Sequence, residues 1–252
     1  MNEFDAFARY YDADIGSHID DLAFYRQLAQ RTGGPIVELM CGTGRVLLPL
    51  ARAGFQITGV DVSPLLLAQA RRKLEAAGLL DQVALQLADL RQWHSESIYR
   101  LAIIALNSFM HFSDPADHLA ALASIHRALR SDGLLVIDLF NPDLREIVQQ
   151  NGQIFLDKTF VTSDGTQVQK SVVQVADPAT QISQVTFLYD ELDAEGRLRR
   201  TTLPFTMRWF YRYELEHLLA RAGFVIEMIY GSYDLDDYQS DSPQLLVIAR
   251  KH

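Results

Sequence analysis

Between residues 36 and 62 the chain passes from an apolar strand pattern through the turn Cys41-Gly42-Thr43-Gly44 into a helical stretch closed by Gly54. It then returns to a second strand that ends on Asp61. Strand, glycine turn, helix and strand ending in an acid form the opening unit of a nucleotide-binding α/β fold. Gly42 and Gly44 let the backbone turn sharply and approach a ligand with no Cβ in the way, and the amides that follow face that ligand. Asp61 stands where it can accept hydrogen bonds from two ribose hydroxyls. Which nucleoside is held, and for what chemistry, is left open by this unit alone.

The next hundred residues repeat the theme. Ser63-Pro64 opens a helix over 64–77, and 83–88 reads as a strand stopping at Asp89. Residues 101–106 form a continuous apolar run, as expected of a parallel strand buried on both faces. Asn107-Ser108-Phe109-Met110-His111-Phe112 follows, then a helix from Asp114-Pro115, a turn at Ser131-Asp132-Gly133 and a strand over 134–140. This alternation predicts a doubly wound sheet with its ligand off the carboxyl ends of the strands.

After Asn141-Pro142 the pattern changes. Over 153–207 period-two apolar sets are punctuated by Asp164-Gly165, Asp177-Pro178 and Glu195-Gly196, which predicts three or four antiparallel strands inserted into the core. A helix over 211–222 and strands over 224–230 and 245–250 resume the core, the last two joined without a helix and so antiparallel at the sheet edge. The first 34 residues give aromatic and acidic groups, including Tyr10-Tyr11-Asp12, and then a helix over 20–31. The expected organisation is therefore 1–34 as an N-terminal lid or helical segment, 35–150 with 208–252 as the core, and 151–207 as the insertion.

The 252 residues carry 23 Lys plus Arg against 32 Asp plus Glu, a net charge of −9 with no basic run, which argues against a nucleic-acid partner. No apolar run approaches the ~18 residues of a membrane span, and the N-terminus is acidic where a signal peptide is basic, so no membrane partner and a cytoplasmic location are expected. Cys41 is the lone cysteine and the seven His are scattered, so no metal is expected.

Three features narrow the ligand. The turn Glu38-x-x-Cys41-Gly42-Thr43-Gly44-Arg45 has Leu47 where a dinucleotide fingerprint has its third glycine, Asp89 ends the third strand, and the chain closes on a hairpin. Together these resemble the class I S-adenosylmethionine-dependent methyltransferases. That resemblance implies an α/β fold with a doubly wound, seven-stranded, mostly parallel sheet of order 3-2-1-4-5-7-6, a terminal antiparallel hairpin and an inserted antiparallel β segment. Tyr11-Asp12, Asn107-Ser108-Phe109 and the insertion are similar to the small-molecule branch that includes the sugar N,N-dimethyltransferases.

The resemblance implies S-adenosylmethionine as cofactor. It gives Asp61 the ribose hydroxyls, Val62 an adenine face, Asp89 the adenine amino group, and the Leu90 backbone the ring edge. Glu38 is directed to the methionine part, Gly42 and Gly44 to the turn, Asn107 to the sulfonium end, and Tyr11, with Tyr10 second, to the methionine carboxylate. His111 is the candidate general base, with Tyr11 as a second catalytic candidate. Each residue has a plainer role open to it: Asp61 as a helix cap, Val62 and His111 as core or rim, Glu38 as a buried structural carboxylate, Asp89 as a turn residue, and the tyrosine pair as packing. The acceptor is expected to be a small molecule methylated on N or O. The insertion is expected to wall the acceptor pocket, to make a homodimer contact, or both, and its removal to leave cofactor affinity largely intact. A nicotinamide-dependent oxidoreductase and a non-catalytic cofactor-binding partner or sensor are the other functions open to the chain.

Overall fold

Strand-helix alternation closes into one seven-stranded sheet in the computed structural model, which describes residues 3–16, 18–193 and 195–252. Strands β1 (Ile36–Leu39), β2 (Ile57–Asp61), β3 (Val83–Leu87), β4 (Tyr99–Ile104) and β5 (Leu129–Phe140) run parallel. An insertion then contributes β6 (Ile154–Val161), β7 (Gln167–Asp177), β8 (Ile182–Leu192) and β9 (Leu198–Arg208). The chain returns with β10 (Phe224–Tyr230) and β11 (Gln244–Lys251). The sheet order is β3-β2-β1-β4-β5-β11-β10, with β11 antiparallel to both neighbours, as the resemblance implies.

Every residue of β1 and β2 is buried, because helices cover both faces. On one face Val37, Leu39 and Ile104 pack with residues of the helices over Pro115–Ala128 and Arg212–Arg221. On the other, Ile36, Ile57 and Ile103 pack with residues of Leu22–Thr32, Leu47–Arg52 and Pro64–Ala76. The strand's period of two thus points Glu38 to the same side as Ile36, toward the turn before Leu47. At the Pro64–Ala76 helix Ser63 is the cap, its Oγ accepting from the Leu66 N–H at 3.2 Å.

Two differences from the sequence pattern have local causes. Leu106 and Asn107 adopt left-handed backbone (φ 51° and 62°), so β4 stops at Ile104 instead of reaching 106. The expected turn at Ser131-Asp132-Gly133 is an irregularity inside β5: pairing jumps from Tyr99 with Leu129 to Leu101 with Leu134, and Asp132 absorbs the excursion at φ 66°. A short helix, Leu144–Gln150, capped by Asp143, precedes the insertion and carried no clear sequence signal.

The insertion is a separate four-stranded antiparallel meander, β6-β7-β8-β9. Its inner face, with Val168, Val185, Tyr189, Leu203 and Phe205, shares one hydrophobic cluster with Phe7 and Tyr10. The N-terminal segment, a 3-10 turn over Glu3–Arg9 and a short helix over Tyr11–Ile15, is tied on both flanks. Toward the core, Asp5 accepts from Ser63 Oγ (2.6 Å), Asp12 from Thr43 Oγ1 (2.6 Å) and Lys73 Nζ (2.8 Å). Toward the insertion, the Tyr10 hydroxyl donates to Glu191 (2.8 Å) while its ring stacks on Tyr189 at 4.2 Å, and Asp14 accepts from the Tyr189 hydroxyl (2.7 Å) and pairs with Lys158 and Lys170.

Candidate active site

A cavity of about 580 Å³ opens at the carboxyl ends of the parallel strands, bounded above by the N-terminal segment and on one side by β8 and β9. Tyr11, Gly42, Asp61, Val62, Asp89, Leu90, Asn107 and His111 all line it. Glu38 and Gly44 do not.

Gly42 has φ 55°, and a Cβ there would lie 3.0 Å from the Tyr11 hydroxyl, so the turn needs glycine both for its backbone and for the ring that covers it. Gly44, at φ 77°, would meet Ala70 and Leu47 at 3.4 Å, so its place is in packing the turn onto the Pro64–Ala76 helix. Asp61 is buried at the end of β2, its Oδ2 accepting from the Gly42 N–H (2.7 Å) and its Oδ1 from the Ser63 N–H (2.8 Å). Burial pushes its carboxyl up, against the pull of these backbone donors. The carboxylate therefore ties turn to helix entry while facing the cavity.

Asp89 is chelated by Arg91, Nε to Oδ1 at 3.0 Å with the Arg91 backbone N–H on the same oxygen at 2.9 Å, and that guanidinium holds it below the usual carboxylate range. Arg91 also reaches Asp117 at 2.8 Å. Glu38 lies just behind the turn. Its Oε2 is buried with no partner, and burial lifts the carboxyl to about 8 despite Arg45 nearby. Arg45 is itself held by both oxygens of Asp21 at 2.6 Å.

This lining fits S-adenosylmethionine, which carries a diol, an ammonium and a sulfonium but no phosphate. Asp61, in the lining, meets the first requirement; Glu38, a buried acid with an orphaned oxygen, lies behind the turn and outside the lining. Among the described residues the only cationic side chain lining the cavity is Arg91, already engaged by two carboxylates, so a dinucleotide pyrophosphate would find no free counter-charge.

The other half of the cavity is built from Asn107 onward. Asn107 Oδ1 accepts from the Phe140 N–H (2.6 Å), and its own N–H donates to the Asp138 carbonyl (2.9 Å). Asp138, buried at the end of β5, also accepts from the Leu106 N–H (3.0 Å) and from the hydroxyls of Tyr25 (2.7 Å) and Tyr233 (3.1 Å). Asp138 thus holds the two left-handed residues in place. His111 ends the 3-10 turn Ser108–His111, its ring 5.0 Å from Phe4 and 5.6 Å from Phe205. One ring nitrogen meets the Thr206 backbone, Nδ1 has no partner, and burial holds the imidazole down at about 4, so it is neutral at neutral pH.

Of the two tyrosines, Tyr11 lies over the turn and Tyr10 faces away, its hydroxyl taken by Glu191 and Thr201. Sequence reasoning missed Arg91, Phe4, Phe7, Asp138 and the Phe187, Phe205 and Met207 wall. The alternation of Leu203, Phe205 and Met207 placed the last two on one face of a strand, but nothing in it told what that face meets.

Residues 36–133 match the family described as a methyltransferase domain. The chain is 26% identical to the cypemycin N-terminal methyltransferase of a Streptomyces species, over 87% of this chain and 84% of that protein. In structure it is similar to the CcbJ methyltransferase of Streptomyces caelestis (TM-score 0.80, 20% identity, covering 100% of this chain and 99% of that one). It is also similar to the sugar N-methyltransferase KedS8 of a Streptoalloteichus species (TM-score 0.70, 22% identity, 92% and 87%).

Proposed function

We propose that this chain, an S-adenosylmethionine-dependent methyltransferase on the class I fold, carries its cofactor on Asp61, Gly42, Val62, Asp89 and Leu90 and methylates a nitrogen or oxygen of a small molecule beside His111. The supporting observation is that one cavity joins the glycine turn and Asp61 to His111, a neutral histidine whose buried Nδ1 has no partner. Its volume suits a cofactor and a compact acceptor together.

The bound cofactor supplies an activated methyl on a sulfonium. The chain's part is to orient and to exclude water, which can contribute up to roughly 7–11 kcal/mol to lowering the barrier. Tyr11 closes over the methionine end, Glu38 takes the ammonium from behind the turn, and Asn107 borders the methyl path. His111 Nδ1 receives the acceptor's proton where the nucleophile carries one. Residues 4–15 act as the lid, and β8 and β9 wall the acceptor.

Asp61→Ala is expected to weaken S-adenosylhomocysteine binding by at least about tenfold in calorimetry, the loss of one to two charge-assisted hydrogen bonds. Unchanged affinity would remove Asp61 from the site. No helix among the described residues is long and apolar enough to cross a membrane. The acidic net charge disfavours nucleic acid as a partner, and we assign the reaction to the cytoplasm. The edge strand β6 exposes Ile154, Leu156 and Val161, and we assign it to a homodimer contact. A monomeric mass in light scattering would withdraw that assignment.

A further inference from the structure

Leu106 and Asn107 stand where β4 gives way to the 3-10 turn over Ser108–His111, and both line the cavity. Each takes left-handed backbone, at φ 51° and 62°. Asparagine tolerates that conformation through its short polar side chain, whereas a residue as bulky as leucine keeps it only where its surroundings impose it. Two such residues in succession at the edge of a ligand cavity are strain kept at a functional position, and strain of this kind points to a task there.

Asp138 supplies what they need. Its Oδ2 accepts from the Leu106 N–H (3.0 Å) and its main-chain carbonyl from the Asn107 N–H (2.9 Å), so one residue of β5 grips both. Two tyrosine hydroxyls then fix the carboxyl group itself. Tyr25, on the Leu22–Thr32 helix, donates to Oδ2 at 2.7 Å, and Tyr233, in the loop between β10 and β11, donates to Oδ2 at 3.1 Å and to Oδ1 at 3.2 Å. Asp138 and Tyr25 are buried, and the Tyr233 ring packs on His18 (6.0 Å) and Phe24 (6.2 Å). Burying a carboxyl group among uncharged donors is costly unless each bond is well made. Here the bonds converge on the two residues whose backbone has to be held.

We propose that Asp138, braced by Tyr25 and Tyr233, is a positioning residue for methyl transfer: it sets the Leu106–Asn107 step against the sulfonium methyl, and so lets the protein distinguish S-adenosylmethionine from S-adenosylhomocysteine. This rests on the methyltransferase reading above, in which Asn107 borders the methyl path. Asp138 does not line the cavity and acts through Leu106 and Asn107. Without its hold the two residues relax toward ordinary backbone and shift from the place that the methyl occupies. S-adenosylhomocysteine carries no such methyl, so its binding depends little on where the step lies.

The test is calorimetry on the full chain with S-adenosylmethionine and S-adenosylhomocysteine in turn, read as the ratio of their affinities. Asp138→Asn keeps the shape of the side chain and replaces one acceptor oxygen by a donor. It is expected to weaken S-adenosylmethionine about tenfold while S-adenosylhomocysteine stays within about threefold. Tyr233→Phe removes one brace and leaves its ring in place, and it should move the ratio about threefold in the same direction. Tyr99→Phe is the comparison: it deletes another buried hydroxyl bond, from Tyr99 to Thr58 Oγ1 (3.0 Å), at the amino ends of the strands. That change should lower the melting temperature and leave the ratio alone. An unchanged ratio in Asp138→Asn, or in Tyr233→Phe should Asp138→Asn not fold, overturns the proposal while leaving the methyltransferase reading in place, and so does a shift in Tyr99→Phe as large as theirs. Failure of the wild type to bind S-adenosylhomocysteine overturns both.

Discussion

Glu38 and Asp61 are both buried acids at strand ends, yet their surroundings set them different tasks. Asp61 is held by two backbone N–H groups and keeps one face to the cavity, whereas Glu38 has an oxygen with no partner and a carboxyl lifted to about 8 by burial. With the folded value raised above the ordinary 4.5, its contribution to stability is complete below 4.5 and is lost as pH rises through 8. A cofactor ammonium against Glu38 would favour the carboxylate, so binding at neutral pH should release about one proton. Binding enthalpies measured in phosphate and in Tris are expected to differ for the wild type and to coincide for Glu38→Gln; equal enthalpies in the wild type would detach Glu38 from the ammonium. That Asp61, Val62, Asp89, Leu90, Asn107 and His111 would meet at one cavity was legible at this scale, because chain order fixes which residues follow the ends of parallel strands. Asp138 was not, because its partners Tyr25, Leu106 and Tyr233 come from distant parts of the chain, and no local pattern marks a carboxylate that gathers them.

Among the elements, the N-terminal segment bears most directly on the proposed site, since Phe4, Phe7, Tyr11 and Ile15 line the cavity. Its short helix is too small to persist alone, and it is kept over the turn by Asp12 on Thr43 and Lys73 and by Gln69 Nε2 donating to the Ala8 carbonyl. The Asp12–Lys73 pair is partly exposed, so its loss should cost only about 0.2–1 kcal/mol of stability. The effect on the lid should be larger. Asp12→Ala is expected to speed S-adenosylhomocysteine release roughly three- to fivefold in stopped-flow while the melting temperature moves little, and an unchanged rate would mean that the segment does not open for exchange. Periodicity and capping made the helices and strands of the core readable. They could not show the left-handed step at Leu106 and Asn107 or the irregularity in β5, since both are imposed by pairing and by Asp138 instead of by residue type.

The N-terminal segment is fastened to the insertion at Asp14. One carboxylate, almost fully buried, joins the N-terminal segment to the insertion through Lys158, Lys170 and the Tyr189 hydroxyl, beside the Tyr10–Tyr189 stack. The sequence divided the chain into lid, core and insertion and suggested that the insertion could be removed with cofactor affinity largely intact. The shared cluster of Phe7, Tyr10, Tyr189 and Phe205 argues otherwise, because the surface that backs the lid would go with it. Burial raises the Asp14 carboxyl, but Lys170, Lys158 and Tyr189 together outweigh burial and leave it lowered. Its contribution is therefore present above the ordinary 3.8 and is lost as pH falls through the lower folded value. Asp14→Ala strands the buried Lys170 ammonium on Asp157 alone and should cost about 3 kcal/mol at neutral pH, read by urea denaturation. The gap between wild type and variant should narrow in strong acid. Because the same change loosens the N-terminal segment, which we propose to be the lid, S-adenosylhomocysteine affinity should also fall more than about threefold. A variant that loses stability but binds as before would mean that the insertion supports the fold without supporting the cofactor site.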